Sequence, residues 1–261
     1  MDLQLRGKTA LVLAASGGLG AAIAAGLAAE GVKVAITGTN AAKLDTAAGA
    51  IKAAGGTALP LVWDLGDPAL IDPSISRVEA DLGPIDILVN NTGGPPPSPV
   101  AGQDPAVWRR HFESMILSVI AVTDRVVPAM RQRGWGRIIT STSMGVVAPI
   151  PGLGLSNALR PVLVGWSKTL AREVAPVGIT VNVLVPGRID TDRVRFLDQS
   201  RATREGRPVE AVIAESRAAI PAGRYGTPQE YADMAVFLAS PRAAYITGSI
   251  LRVDGGAIAS V

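Results

Sequence analysis

An uncharged run, TALVLAASGGLGAAIAAGLAA, fills residues 9–29 between Lys8 and Glu30. Its length suits a bilayer crossing, but Gly17, Gly18 and Gly20 interrupt the middle, where a membrane helix would be continuous. A strand over 9–15, a glycine turn and a helix over about 19–30 account for it better. The preceding MDLQLRGK lacks the charged, apolar and small-residue layout of a signal peptide. A soluble, cytoplasmic chain with no membrane partner is the expectation.

The same alternation continues along the sequence. Short β-rich runs at 33–37, 58–63, 86–91, 137–143, 180–186 and 249–255 alternate with helical patterns, notably 41–54, 105–132, 157–176 and 228–239. Continuously apolar strands interleaved with helices predict a parallel sheet covered on both faces. No repeat, low-complexity linker or composition break marks a second domain, and 261 residues suit one large α/β domain. Several strands run into loops rich in Gly and Pro, and the carboxyl ends of strands are where an open α/β sheet takes ligands.

Composition removes several chemistries. With no cysteine there is no disulfide framework, thiolate metal site or cysteine nucleophile, and a single histidine, His111, leaves little for a Ser-His-Asp triad. No metal site is expected. The net charge of +3 is spread among acids rather than gathered in a stripe, which argues against a nucleic-acid partner.

The glycines after the first strand have a physical use. A diphosphate can sit on backbone N–H groups at a helix N-terminus only where no Cβ obstructs it. Other motifs follow in order: WDLGDP (63–68), VNNTGG (89–94), VLVPGRIDT (183–191) and a closing GRYGTPQEYADMAVFLASPRAAYITGSILRVDGG. As an ensemble, from about Arg6 to Gly256, they resemble the short-chain dehydrogenase/reductase family. The resemblance implies a single domain with a Rossmann-type, doubly wound parallel sheet of about seven strands, an NAD or NADP cofactor, and a homotetramer or homodimer.

Carried over by position, Gly18 and Gly20 match two glycines of the family's phosphate loop, and the first falls on Ala14. Ser16, Gly17 and Leu19 complete that loop. The resemblance implies that Asp64, with Leu65 beside it, meets the adenine. Asn90, Thr92 and Gly93 fall in the family's N-N-A-G element, written N-N-T-G here. Pro186, Gly187, Ile189 and Thr191 lead to the nicotinamide, with Thr191 on its carboxamide. Asp64 and Asn90 could equally be turn formers after strands. At the end of the second strand stand Gly38, Thr39 and Asn40. No acid there repels a 2′-phosphate and no arginine invites one, so the reading leans to NADP, with NAD as the alternative.

The catalytic end departs from the family. Counting back from KTLARE places the family's proton-donating tyrosine on Ser156 and its lysine on Arg160, while its serine falls on Ser143 and its asparagine on Met115. The three tyrosines, Tyr225, Tyr231 and Tyr245, all lie far downstream. An aliphatic hydroxyl is a much weaker acid than a phenol, and an arginine that stays charged cannot share protons. Arg160 can still stabilise an oxyanion. Losing a general acid costs about 10²–10⁴-fold, while holding hydride donor and acceptor together can contribute about 7–11 kcal/mol, so slow turnover can survive. Alternatively, Ser156 and Arg160 simply cap a helix and form a surface ion pair. Pro161 favours a helix start near Asn157 or a kinked first turn.

GGPPPSP (93–99) is expected to be a stiff loop over the cofactor cleft. The segment 188–225 is expected to cover a small-molecule substrate. Arg188, Arg193, Arg195, Arg201, Arg204 and Arg207 within it suggest an anionic one, unless they are balanced by Asp190, Asp192, Asp198 and Glu205. His111 reads as structural, and Trp63 as a fluorescence reporter of nucleotide beside Asp64. Three functions compete: an NAD(P)-dependent oxidoreductase acting on a carbonyl or alcohol with an altered proton-donor site, a non-catalytic NAD(P)-binding sensor or interaction protein, and a dehalogenase-like lyase. Halohydrin dehalogenases, which resemble this family, also place arginine at the lysine position, but they keep the tyrosine and fill the dinucleotide site.

Overall fold

The computed structural model describes residues 1–260. Seven strands form one parallel sheet: β1 (Thr9–Val12), β2 (Lys33–Gly38), β3 (Thr57–Val62), β4 (Ile87–Asn90), β5 (Gly136–Ser141), β6 (Ile179–Pro186) and β7 (Ile250–Val253). Their spatial order is β3-β2-β1-β4-β5-β6-β7. The chain winds outward from β1 in one direction and from β4 in the other. A crevice therefore opens between the carboxyl ends of β1 and β4.

Between the strands lie α1 (Gly18–Ala29), α2 (Ala41–Ala53), α3 (Ile71–Leu82), α4 (Pro105–Phe112), α5 (Ser118–Arg133), α6 (Gly154–Val174), α7 (Asp192–Glu205), α8 (Val209–Ala218) and α9 (Pro228–Ala239). Burial on both faces of the sheet follows from the two-residue period of a strand. Ala10 and Val12 of β1 join the core against α1 and α9, whereas Leu11 and Leu13 join the core against α3 and α5. No helix is long and apolar enough to cross a membrane among the described residues.

Two helices differ from the sequence expectation. The helix expected over 105–132 is divided by a π-helical turn, Glu113–Leu117. Met115 on that turn is buried and packs with Ile116, Val119, Leu159 and Leu163, joining this helix to α6. Helix α6 begins at Gly154 rather than near Asn157, so Pro161 lies inside it and cannot donate to the Asn157 carbonyl. The Asn157 side chain instead reaches outward, donating to the Ile150 carbonyl at 2.8 Å and accepting from its N–H at 3.2 Å.

The turn from β1 into α1 is a tight joint at the crevice. Ala14 sits at φ +47°, in the left-handed region that a Cβ disfavours. Its N–H donates to Thr37 Oγ1 at 3.1 Å, and Asn91 Nδ2 donates to its carbonyl at 3.1 Å. Ala15 N–H is held by the Thr37 carbonyl at 2.7 Å. The turn is thus tied to both neighbouring strands. Gly20 lets α1 close onto it, because a Cβ there would stand 2.6 Å from the Ala14 oxygen and 2.8 Å from Ala15 Cα.

These two positions give opposite predictions. Helix propensity alone makes Gly20→Ala stabilising by about 1 kcal/mol. Packing makes it destabilising by about 1–3 kcal/mol, so thermal denaturation should show a Tm lowered by roughly 2–10 °C. Ala14→Gly should leave Tm unchanged or raise it by about 2–4 °C. Relief of about 1–2 kcal/mol of left-handed strain outweighs or offsets about 0.4–1 kcal/mol of added unfolded-state entropy.

Candidate active site

A cleft of about 900 Å³ runs along the carboxyl ends of the strands. At one end it is lined by Ala14, Ser16, Gly17, Gly18 and Leu19. Gly17 is the N-cap of α1 and offers no side-chain capping bond, and the first turn of the helix carries no acidic residue. The first N–H groups of α1 therefore lack the partners that helix starts usually recruit. A Cβ at Gly17 would meet nothing within 4 Å, so the turn opens onto free space. The chemistry of such a cradle is that of an anion site, with aligned N–H donors and the positive end of the helix dipole.

Thr92, Gly93, Pro186, Gly187, Ile189 and Thr191 also line the cleft, and Thr191 lies close to the glycine turn, since a Cβ at Gly18 would stand 3.7 Å from its Cγ2. Thr191 Oγ1 accepts from Val194 N–H at 3.4 Å and so starts α7. Thr92 Oγ1 is buried and has no hydrogen-bond partner among the described residues, an unmet polar group in the cleft wall.

The other end gathers Ser143, Ser156 and Arg160. Ser143 leaves β5 at the start of a short 3-10 turn, where its Oγ accepts from Gly145 N–H at 3.1 Å. Gly145 packs so closely on Asn157 that a Cβ would lie 2.5 Å from Asn157 Oδ1. That contact ties the Ser143 loop to α6, and α6 in turn presents Ser156 and, one helical turn later, Arg160. The Ser156 hydroxyl makes no hydrogen bond with a described residue, so its proton is free for a ligand.

Arg160 is only 7% exposed. Its Nη2 donates to the carbonyls of Thr92 at 3.3 Å and Gly93 at 3.2 Å, and it forms no ion pair with a described carboxylate. Burial, reinforced by the positive charge of Arg193, lowers its pKa to about 10. It remains a cation at neutral pH. The simple reading of Ser156 and Arg160 as a helix cap and a surface ion pair is therefore corrected. The N-cap of α6 is Leu153, without a side-chain bond, and Arg160 is neither at the surface nor paired.

None of the three tyrosines lines the cleft. Tyr231 is fully buried on α9. Its hydroxyl is 2.8 Å from Ser141 Oγ and donates to the Leu184 carbonyl at 3.2 Å, and burial raises its pKa. Tyr225 donates to Asp198 Oδ2 at 2.8 Å, and Tyr245 is fully exposed.

Other sequence-predicted residues stand back from the cleft lining. Gly20 is in the α1 packing contact. Asn40 caps α2 by accepting from Lys43 N–H at 3.0 Å, and Thr39 beside it is exposed. Asp64 Oδ1 accepts from Gly66 N–H at 2.8 Å, a local turn, with Leu65 half-buried between them. Asn90 is buried, donating to Thr123 Oγ1 at 3.1 Å. Trp63 is buried in the core and lines no part of the cleft, which removes the basis for using it as a contact reporter. His111 is on α4 outside the cleft, its pKa lowered by burial and then by Arg110. Gly93 and Gly94 line the cleft, but the proline half of that loop is drawn aside. Ser98 N–H donates to the Gly152 carbonyl at 2.8 Å and Gly154 N–H to the Ser98 carbonyl at 2.9 Å, pinning the loop to the start of α6.

Sequence reasoning missed Asn91, Thr37, Lys43 and Ser141. Asn91 was visible as the second asparagine of VNNTGG, and Lys43 as the first cation after β2. Lys43, on the first turn of α2, lines the cleft. Among the described residues no group of acids and histidines could hold a metal ion.

The chain resembles known proteins along nearly its whole length. Residues 13–257 match the family described as Enoyl-(Acyl carrier protein) reductase. The 3-oxoacyl-(acyl-carrier-protein) reductase FabG of Escherichia coli (strain K12) is 41% identical over 258 residues, covering 97% of this chain and 98% of its own. The crystal structure of L-sorbose reductase from Gluconobacter frateurii, complexed with NADPH and L-sorbose, superposes with a TM-score of 0.94 at 31% identity over 100% of both chains. That of YwfH, an NADPH-dependent reductase involved in bacilysin biosynthesis, gives 0.92 at 28% identity over 97% of this chain and 99% of its own. The chain belongs to the short-chain dehydrogenase/reductase family.

Proposed function

We propose that this protein is an NAD(P)-dependent oxidoreductase, with NADPH preferred, that acts on the carbonyl or alcohol of a small molecule. The observation that carries this reading is that the uncapped helix start at Gly17 and Gly18 shares one cleft with Ser143, Ser156 and Arg160. The open turn also argues against the dehalogenase-like alternative. In this reading the N–H groups around Gly18 and Leu19 hold the diphosphate. Thr92, Gly93, Pro186, Gly187, Ile189 and Thr191 flank the nicotinamide half. Thr39, Asn40, Asp64 and Leu65 lie toward the adenosine, and Asn90 and Gly20 act by holding the strand end and the turn. The absence of an acid at the end of β2 and the cation of Lys43 in the cleft favour the extra phosphate of NADPH. Two solved relatives are described with NADPH.

When bound, the nicotinamide supplies or accepts a hydride. The chain's own residues handle the oxygen. Ser143 and Ser156 present hydroxyl donors to it, and Arg160 opposes the negative charge that grows there during reduction. Ser156 and Arg160 stand where counting along the family pattern puts tyrosine and lysine. Neither replacement offers a proton acid with a pKa near neutrality, so the proton must come from water or from the substrate. The segment 188–225, which places Arg188, Asp192, Arg193, Val194 and Leu197 along the cleft, is the substrate cover.

One observation favours a second reading. With every tyrosine outside the cleft, the site holds hydroxyls and guanidiniums but no ready proton donor, as a cofactor-binding sensor would. Calorimetric titration with NADPH and NADH, followed by turnover assays on ketones, aldehydes and alcohols, separates the two. The enzyme reading expects saturable NADPH binding, weaker NADH binding and slow turnover. The combined change Ser156→Tyr with Arg160→Lys should then speed reduction of simple ketones by about 10²–10⁴-fold. Binding without turnover of any carbonyl at high enzyme concentration favours the sensor. Absence of nucleotide binding contradicts both.

A further inference from the structure

Of the six arginines in 188–207, the structure sets one apart. Arg188 pairs with buried Asp198 at 2.5 Å, and Arg195 with Asp190 and Asp192. Arg201 and Arg207 share Glu205 and Glu215, and Arg204 reaches Glu205 at 3.9 Å. Those five are charge-balanced, as the bland reading of the segment expected. Arg193 forms no ion pair with a described carboxylate. Its Nη2 donates to the Pro95 carbonyl at 2.6 Å, and its guanidinium lies 5.7 Å from the Phe196 ring centroid.

Arg160 reaches the same loop through the Thr92 and Gly93 carbonyls. Two guanidiniums, one buried and one half-buried and neither neutralised, thus rest on the four residues from Thr92 to Pro95. Gly93 and Pro95 are at most about 7 Å apart along the chain. Like charges gathered on one short loop without a counter-charge are unfavourable, and an anion bound in the cleft beside them removes the deficit. Each uses only Nη2 on the loop, so Nε and Nη1 of both, which bond to no described residue, remain for a ligand. Both side chains line the cleft. A carboxylate has two oxygens and can accept a charge-assisted hydrogen bond from each guanidinium.

We propose that Arg160 and Arg193 together form a receptor for a carboxylate on the substrate, which makes the substrate class an oxo acid or hydroxy acid rather than a neutral ketone. This rests on the oxidoreductase reading, in which the nucleotide occupies the glycine-turn end of the cleft. The competing source of the same anionic chemistry is a phosphate of the nucleotide itself.

Calorimetry on the full chain, with and without saturating NADPH, distinguishes the two by using malonate, dimethyl malonate and inorganic pyrophosphate as probes. The proposal expects malonate to bind the NADPH-saturated protein while its diester does not. Arg193→Gln should weaken malonate about ten- to hundredfold, the loss of a charge-assisted hydrogen-bonded pair. Arg193→Lys should recover only part of it, since the charge returns without a guanidinium that can hold the Pro95 carbonyl and the ligand at once. Arg160→Met should act like Arg193→Gln, and if it fails to fold, the two Arg193 variants decide alone. Malonate displaced by NADPH, with pyrophosphate competing for the same place, would assign the guanidiniums to the nucleotide and overturn the proposal. So would malonate affinity unchanged in Arg193→Gln, or no malonate binding to the NADPH-saturated protein. NADPH binding without malonate binding removes the receptor alone, whereas failure to bind NADPH removes the oxidoreductase reading.

Discussion

The structure depends on how closely α1 approaches the end of β1. That approach is possible because Gly20 has no side chain where the Ala14 carbonyl and Ala15 Cα would meet it. The turn between them is clamped from β2 by Thr37 and from the end of β4 by Asn91. Three neighbouring strands therefore hold one helix N-terminus at the place where the sheet reverses its winding. An anion site made of backbone N–H groups has no rotamer freedom to lose on binding, and its direction is set by the clamp. Ala14 in a left-handed conformation is the local strain this arrangement carries.

The far end of the cleft is built by a different device. Asn157 and Gly145 bind the loop after β5 to α6, and Ser98 binds the proline loop to the start of the same helix. One helix thus organises Ser143, Ser156 and Arg160, while the π-helical turn around Met115 packs against it. The chemistry offered is electrostatic more than acidic. A buried, permanently charged guanidinium can stabilise an oxyanion or hold a carboxylate, but it does not exchange protons near neutral pH. Any activity must then rely on alignment and charge, with protons drawn from elsewhere.

Much of this was legible in local sequence. Strand-and-helix alternation showed the layered sheet, because burial on both faces demands continuous apolar strands. The glycines of SGGLG showed the open turn, because only the backbone could serve there. What stayed hidden depends on residues distant in the chain. The pairing of Tyr231 with Ser141 joins residues 90 apart. The burial of Arg160 depends on the loop after β4, 67 and 68 residues earlier. The sorting of six arginines into five paired and one unpaired needs side-chain geometry that charge counting cannot supply. Pro161 left the start of α6 open, and tertiary packing carries the helix through it from Gly154 despite the lost hydrogen bond.

The most direct measurement is a crystal structure of the protein grown with NADPH. The account predicts diphosphate oxygens accepting from the N–H groups of Gly18 and Leu19, with the nicotinamide between Thr191 and Ser143. A nucleotide bound elsewhere, or a turn closed by the protein's own side chains in that crystal, would contradict it.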